Sequence, residues 1–340
     1  MLRSELLSTL KRVTPALAST PMKPILDHFC FDGKTVVAYD DIVALRTPCK
    51  VGIEGALPGS KLLSILASST AEEVACTVDG SEATFKIGRT RLKLQSLPSE
   101  DFLFKEPDKQ GEKLPLDDQL RKCFDLAIRS ADPDQSSGTR TGVTIAFEKK
   151  KVTFYSTNNL SLFRMTASHK SPSLAGKAFI LPERFYSLLL KLGENAILTF
   201  TNKGDVIGVS EATELFGHVV SGADAKQFDA VFDRSNLEDI PKADIPAALI
   251  GCLQRAAIVS KELTKLTYAE NRLSLFTESQ GCQVQDSVKI DLGEEAIEVY
   301  TGVECLLRYL DVAKRIGVSK GCIVLEGDGF QVLIAVRAGK

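Results

Sequence analysis

Tryptophan is absent, histidine and methionine occur three times each, and aromatic residues make up only 7% of this 340-residue chain. So few flat side chains leave no platform on which the bases of a single strand could stack. No apolar run approaches the roughly 18 residues that cross a bilayer. The N-terminal Met1-Leu2-Arg3-Ser4-Glu5 enters an amphipathic pattern with no signal-peptide core, so a cytoplasmic protein without a membrane span is expected. None of the eight cysteines forms a CxxC pair, and Cys123, Cys252 and Cys305 fall on helical apolar faces, as packing thiols do. His28, His169 and His218 are scattered without a Cys or acid at ligand spacing, and the glycines form neither GxGxxG nor a Walker A loop. Tyr39-Asp40-Asp41 pairs two acids after the strand Thr35-Val36-Val37-Ala38, but no third acid of matching context accompanies them. No metal, no cofactor and no enzymatic activity are therefore expected. The formal charge of −2 is no basic signal either, so any nucleic-acid role must lie in local charge placement.

What is present is repetition. Ala56-Leu57-Pro58-Gly59-Ser60-Lys61-Leu62-Leu63-Ser64-Ile65-Leu66 recurs as Ile180-Leu181-Pro182-Glu183-Arg184-Phe185-Tyr186-Ser187-Leu188-Leu189-Leu190. A looser third copy, Val299-Tyr300-Thr301-Gly302-Val303, leads into Leu306-Leu307-Arg308-Tyr309-Leu310. The copies stand about 120 residues apart, a domain-sized period well above that of solenoids. Each has an earlier helix too. Leu120, Cys123, Phe124, Ala127 and Ile128 form one stripe, and Leu249, Cys252, Leu253, Ala256 and Ala257 repeat its spacing. Leu2, Leu6, Leu10 and Val13 serve the first copy. Alternating strands with hairpin turns follow each later helix, so the predicted class is α+β, three tandem copies of two helices packed on antiparallel sheet. Linkers at Lys105–Lys113 and Asp233–Asp239 give domains 1–107, 108–232 and 233–340.

Charge placement is more telling than its total. The predicted helices carry Arg3, Lys11, Arg12, Lys61, Arg121, Lys122, Arg129, Arg184, Lys191, Arg255, Arg308, Lys314 and Arg315 on their polar faces. If the copies turn their helices to one surface, that surface is basic, and scattered long cations track phosphates without reading bases. The plainer reading is a set of solvated faces, partly self-paired, with Glu304, Arg308, Asp311 and Arg315 as neighbouring ion pairs.

Four segments in register resemble the bacterial-type sliding clamp family, the β subunit of the DNA polymerase III holoenzyme. They are Leu10-Lys11-Arg12-Val13-Thr14-Pro15-Ala16-Leu17 followed by Lys23-Pro24-Ile25-Leu26, Gly88-Arg89-Thr90-Arg91-Leu92-Lys93-Leu94-Gln95-Ser96-Leu97-Pro98-Ser99-Glu100-Asp101-Phe102, Ile180-Leu181-Pro182, and Arg255-Ala256-Ala257-Ile258-Val259-Ser260. The resemblance implies a ring of two chains, head to tail, whose helices face duplex DNA. It holds the DNA by topology, independent of sequence, and tethers the replicative polymerase and the clamp loader through peptide motifs. The thirteen cations would then face the hole. It also implies a peptide groove between the second and third copies, formed by Thr157, Leu160, Leu162, Phe232, Val332, Ile334 and Val336. The subunit interface would set Arg89, Arg91, Leu92 and Leu94 against Ile258 and Val259, with an edge strand paired to a like edge on the neighbour.

The chain departs from the family at several points. The family's Thr-Asp-Gly-His-Arg-Leu reads Thr157-Asn158-Asn159-Leu160-Ser161-Leu162 here, and its glutamate-rich interface strand reads Gly281-Cys282-Gln283-Val284-Gln285-Asp286. The strand expected before the first helix is missing. Only two strands are read after the last helix, Cys322–Glu326 and Phe330–Val336. These differences suggest altered partner choice, an interface resting on apolar contact, and a phage-encoded or otherwise specialised clamp. An enzyme with a cleft between repeated domains, or a triplicated adaptor without DNA, remain the alternatives.

Overall fold

The computed structural model describes residues 1–132, 142–220 and 223–338. The first copy comprises α1 (Arg3–Val13), β1 (His28–Asp32), β2 (Thr35–Tyr39), β3 (Val43–Pro48), β4 (Glu54–Pro58), α2 (Gly59–Ser68), β5 (Val74–Asp79), β6 (Glu82–Ile87) and β7 (Thr90–Gln95). The second adds a leading strand: β8 (Gly111–Pro115), α3 (Asp118–Ala127), β9 (Gly142–Phe147), β10 (Lys151–Thr157), β11 (Ser161–Ser168), β12 (Ala178–Pro182), α4 (Glu183–Leu189), β13 (Ile197–Thr201), β14 (Asp205–Ser210) and β15 (Thr213–His218). Helix α5 (Ala225–Arg234) links to the third: β16 (Lys242–Asp244), α6 (Ala247–Val259), β17 (Thr264–Ala269), β18 (Arg272–Ser279), β19 (Cys282–Lys289), β20 (Ile297–Thr301), α7 (Val303–Leu307), β21 (Ala313–Val318), β22 (Cys322–Gly327), β23 (Phe330–Ala335) and β24 (Arg337–Ala338). No helix among the described residues is long and apolar enough to cross a membrane.

The order helix, four strands, helix, three strands thus occurs three times. After its last helix the third copy has β21, β22 and β23 and then the two-residue β24, not the two strands read from sequence. The longer missed strand is β21, where a bulge between Ala313 and Arg315 breaks the alternation and leaves Lys314 and Arg315 exposed side by side. Those consecutive cations read as a helix surface. The strand that leads α1 is reduced to a bridge, Leu2 with Glu73, where the Met1 amino group donates to the Val74 carbonyl at 3.2 Å. In the later copies β8 covers β13 and β16 covers β21.

Every sheet pairing is antiparallel, and the sheets run across copies. One eight-stranded sheet has the order β4-β1-β2-β3-β15-β14-β13-β8, and another repeats it as β12-β9-β10-β11-β23-β22-β21-β16. In both seams the third strand of one copy pairs with the last strand of the next. Leu45 meets Leu215 at the first, and Leu162 meets Leu333 at the second. The chain accordingly divides into two compact units, Met1–Asp118 with Arg184–Val219, and Gln119–Glu183 with Val220–Lys340. Compactness cuts the second copy in two because its strands complete sheets begun by its neighbours. Two smaller sheets remain: β5-β6-β7, and β19-β18-β17-β20-β24.

The helices bury most of each expected stripe, but Leu2 precedes α1 and is exposed, and Ile128 and Ala257 are only half-buried. Leu6, Leu10 and Val13 of α1 are fully buried, as are Leu120, Cys123 and Phe124 of α3 and Leu249, Cys252 and Leu253 of α6. Gly217 on β15 lacks a side chain because the Phe185 ring lies 2.7 Å from where a Cβ would stand.

Candidate functional site

A groove of about 580 Å³ lies in the second unit, where β10, β11 and β23 meet α5. Its floor is Leu162 and Leu333, neighbours across the seam, with Cys322 from the adjacent strand. One wall is the hairpin Thr157–Ser161. There the Asn158 Oδ1 accepts from the Leu160 and Ser161 amides at 3.1 and 2.8 Å, and Asn159 takes a left-handed φ of 68°. This tight turn leaves Leu160 57% exposed at the rim. The other wall is α5, which presents Gln227, Val231 and Ser235 at intervals of four. An apolar floor between two walls can take the side chains of an extended or helical peptide segment.

Of the residues expected here, Thr157, Leu160, Leu162 and Ile334 line the groove. Phe232 is buried beneath it with Phe228, Leu237 and Val324. Val332 is corrected to core: it is wholly buried opposite Phe163, while the consecutive Leu333, Ile334 and Ala335 line the groove, so strict period two does not describe this end of β23. Val336 is half-buried and is not part of the lining. The wall residues of α5 went unread, although Asp224 as N-cap followed by Phe228, Val231 and Phe232 is a helix signal.

The expected cations divide into two groups. Eight are engaged within the fold. Arg3 donates to the Leu66 and Ala71 carbonyls at 2.6 and 2.7 Å, satisfying the C-terminal end of α2. Arg184 binds Asp40 at 2.8 Å and the Pro15 carbonyl. Arg129 and Arg308 donate to each other's carbonyls at 2.7 and 3.0 Å, with Asp311 alongside. Arg255 pairs with Asp286 on β19, Lys314 with Asp328 on the β22–β23 turn, and Arg315 lies 3.9 Å from Glu326. Lys314 and Arg315 sit on β21, not on a helix. Arg121 is half-buried on α3 and is itself engaged. Lys11, Arg12, Lys61, Lys122 and Lys191 are exposed, and their side chains make no ion pair or hydrogen bond among the described residues. Arg12 and Lys191 line one cleft of about 300 Å³. Asp40, the acid of the Tyr39-Asp40-Asp41 motif, is occupied by Arg184 and by the Ile42 and Val43 amides.

The strand edges complete the inventory. Strand β7 is the outer strand of its sheet and β19 of another. Arg91, Leu92 and Leu94 lie on β7, with Arg89 in the turn before it. Leu92 and Leu94 join Lys61 and Ile65 of α2 around a cleft of about 670 Å³. On the other unit, Ile258 at the end of α6 is 84% exposed, with Val259 half-buried beside it. The Arg255 guanidinium, hydrogen-bonded to Asp286, holds that carboxyl below the usual range.

No protein-family model and no curated protein sequence matches the chain. Solved structures do. The DNA polymerase III subunit β of Pseudomonas aeruginosa is similar with a TM-score of 0.86 and 16% identity, covering 100% of this chain and 99% of that one. The DNA polymerase sliding clamp of Caulobacter crescentus gives 0.86 and 17%, covering 100% and 99%. The sliding clamp of Bartonella birtlesii, solved bound to griselimycin, gives 0.86 and 17%, covering 100% and 98%. Over its whole length, therefore, this chain has the fold of the DNA polymerase III β sliding clamps.

Proposed function

We propose that this chain is a DNA sliding clamp, a non-enzymatic processivity factor. It would close head to tail into a ring around duplex DNA and tether a replicative polymerase and a clamp loader through apolar peptide segments. Its three clamp domains are taken as residues 1–107, 108–232 and 233–340. The observation that carries the reading is the seam rule. Within one chain the third strand of each copy pairs with the last strand of the next, at β3 with β15 and β11 with β23. The two strands left over are β19 and β7, and both are sheet edges. Joining β19 of one chain to β7 of another satisfies the same rule, covers two edges that would otherwise invite aggregation, and makes a head-to-tail contact that can close. Ile258 and Val259 would then supply apolar contact to the cleft beside Leu92 and Leu94. Two chains give six copies, the ring size the resemblance implies.

Lys11, Arg12, Lys61, Lys122 and Lys191 would be the phosphate neighbours, all of them from the first two copies. The apolar groove would be the partner site. Loading on a nicked plasmid tests the function: the protein should remain on the circle and leave when the circle is cut. Equal retention on linear DNA with blocked and with open ends would refute a topological clamp. A fluorescent griselimycin that binds the native chain but not a Leu162→Ala, Leu333→Ala variant would support the groove assignment.

A further inference from the structure

The two seams of this chain are built alike but closed differently. At each, an arginine of the third strand stands between a residue of the second and a polar residue of the last: Arg46 between Val37 and Glu214 at the first seam, Arg164 between Tyr155 and Gln331 at the second. The last strand brings Phe216 to the first seam and Leu333 to the second, and Asp205–His218 there matches Cys322–Ala335 here. At the first seam the linker runs without helix, and Phe104 lies against the Tyr39 and Phe216 rings at 5.6 and 5.1 Å. The space left there is about 240 Å³. At the second seam the linker is α5, and the groove it walls is more than twice as large.

An arginine reaches the linker at both seams, and the difference lies in the residue beside it, Val37 at the first and Tyr155 at the second. Tyr39 donates to the Asp41 carbonyl of its own turn, whereas Tyr155 donates to Asp229 of α5 at 2.8 Å. Arg164 is the counterpart of Arg46, which at the first seam binds Glu106 of the linker and Glu214 of the last strand; here it spreads its guanidinium 4.0 Å from the centre of the Phe232 ring. It also reaches Asp229 at 3.4 Å and is anchored by Gln331 at 2.6 Å. Phe228 stacks on the Tyr155 ring at 5.3 Å and 19°. These contacts fix both the seat and the rotation of α5, because Asp229 lies between the seated pair Phe228 and Phe232 and is two residues from Val231. A helix rolled off the seat would carry Val231 across the mouth of the groove.

We propose that Tyr155, Arg164 and Asp229 form a latch that sets α5 and thereby the width of the groove. They are positioning residues for the apolar peptide it captures, and this role rests on the docking reading above. Tyr155→Phe keeps the ring stack and loses only the hydrogen bond, and Asp229→Asn keeps an acceptor for the tyrosine. Asp229→Ala removes the partner of both. Losing one such bond shifts an opening equilibrium about tenfold. Hydrogen exchange at the α5 amides should therefore quicken about tenfold in Tyr155→Phe and Asp229→Ala, change little in Asp229→Asn, and show no added effect in the double variant. Griselimycin affinity should fall by a similar factor in the first two, and the loss should shrink when Val231→Ala has already removed the wall side chain. Unchanged α5 exchange, or a griselimycin loss that ignores Val231→Ala, would overturn the latch. Failure of the native chain to bind griselimycin would instead count against the docking reading, while the exchange data still decide the latch.

Discussion

Arg184 and Lys191 lie seven residues apart at α4 and do opposite work. Arg184 neutralises Asp40, whose side chain is only 8% exposed, and reaches a carbonyl of the first copy. Its removal leaves a nearly buried carboxylate without its cation. The guanidinium is itself one-third exposed, so the expected loss in urea unfolding is about 2 kcal/mol, below the full penalty for a buried broken pair. Lys191→Ala should change stability by less than about 0.5 kcal/mol and instead lower the salt slope of DNA association by about one. Equal stability losses in the two variants would remove the distinction between a seam arginine and a phosphate neighbour. Glu106 offers a second residue-level test. Two hydrogen bonds from Arg46, at 2.5 and 2.8 Å, hold its carboxyl below the usual range. A depressed pKa contributes stability that is complete above the unfolded value, near 4.3, and is lost as pH falls through the folded one. Glu106→Gln should therefore flatten the acid side of the stability profile below about pH 4.3 and leave its shape above that unchanged, as read by thermal unfolding against pH.

At the scale of elements, the apolar contact of Ile258 and Val259 should hold the β7–β19 pairing. An Ile258→Ala, Val259→Ala variant should sediment as monomer while keeping the native circular dichroism. A persistent dimer would place the interface on other elements. The salt dependence of that dimer should be modest, because the one acid near the middle of β19, Asp286, is already paired with Arg255 of its own chain. Much of this was legible in the sequence. The recurrence of strand, Pro or Gly, and helix appears as read, and so does the middle of each stripe of α1, α3 and α6, because each is a local pattern whose period survives packing; only the end positions Leu2, Ile128 and Ala257 fall outside the core. The failures were equally physical. A bulge disguised β21, since two adjacent cations on one face break period two. On β23 an all-apolar run, Val332-Leu333-Ile334, gave no alternation to set its phase, and only pairing with Leu162 shows that Leu333 faces the groove. The arginines misled for another reason: a cation on a helix looks the same in sequence whether it meets a phosphate or a neighbouring carbonyl.

For the whole molecule, the charge placement makes a specific demand on mechanism. The five expected cations that stay exposed without an ion pair, on a chain of net charge −2, give a weak, screened attraction to DNA. The third copy adds little, since Arg255 and Lys314 are spent on acids of their own unit. On the clamp reading proposed above, these cations alone would not hold the chain on duplex DNA at high salt, and retention there would come from closure. Two variants separate the terms. Replacing Lys11, Arg12, Lys61, Lys122 and Lys191 with glutamine removes the phosphate neighbours but leaves the strand edges intact. Once loaded on a closed circle, that protein should stay as long as the native one in about 1 M salt, where the Debye length is only about 3 Å, although it loads more slowly. The Ile258→Ala, Val259→Ala protein keeps every exposed cation but should leave the circle at any salt, as fast as native protein leaves linear DNA. Gel filtration of protein on nicked and linearised plasmid reads both. If the glutamine variant washes off the closed circle while the interface variant stays, retention is electrostatic and the chain is a binding protein of another kind.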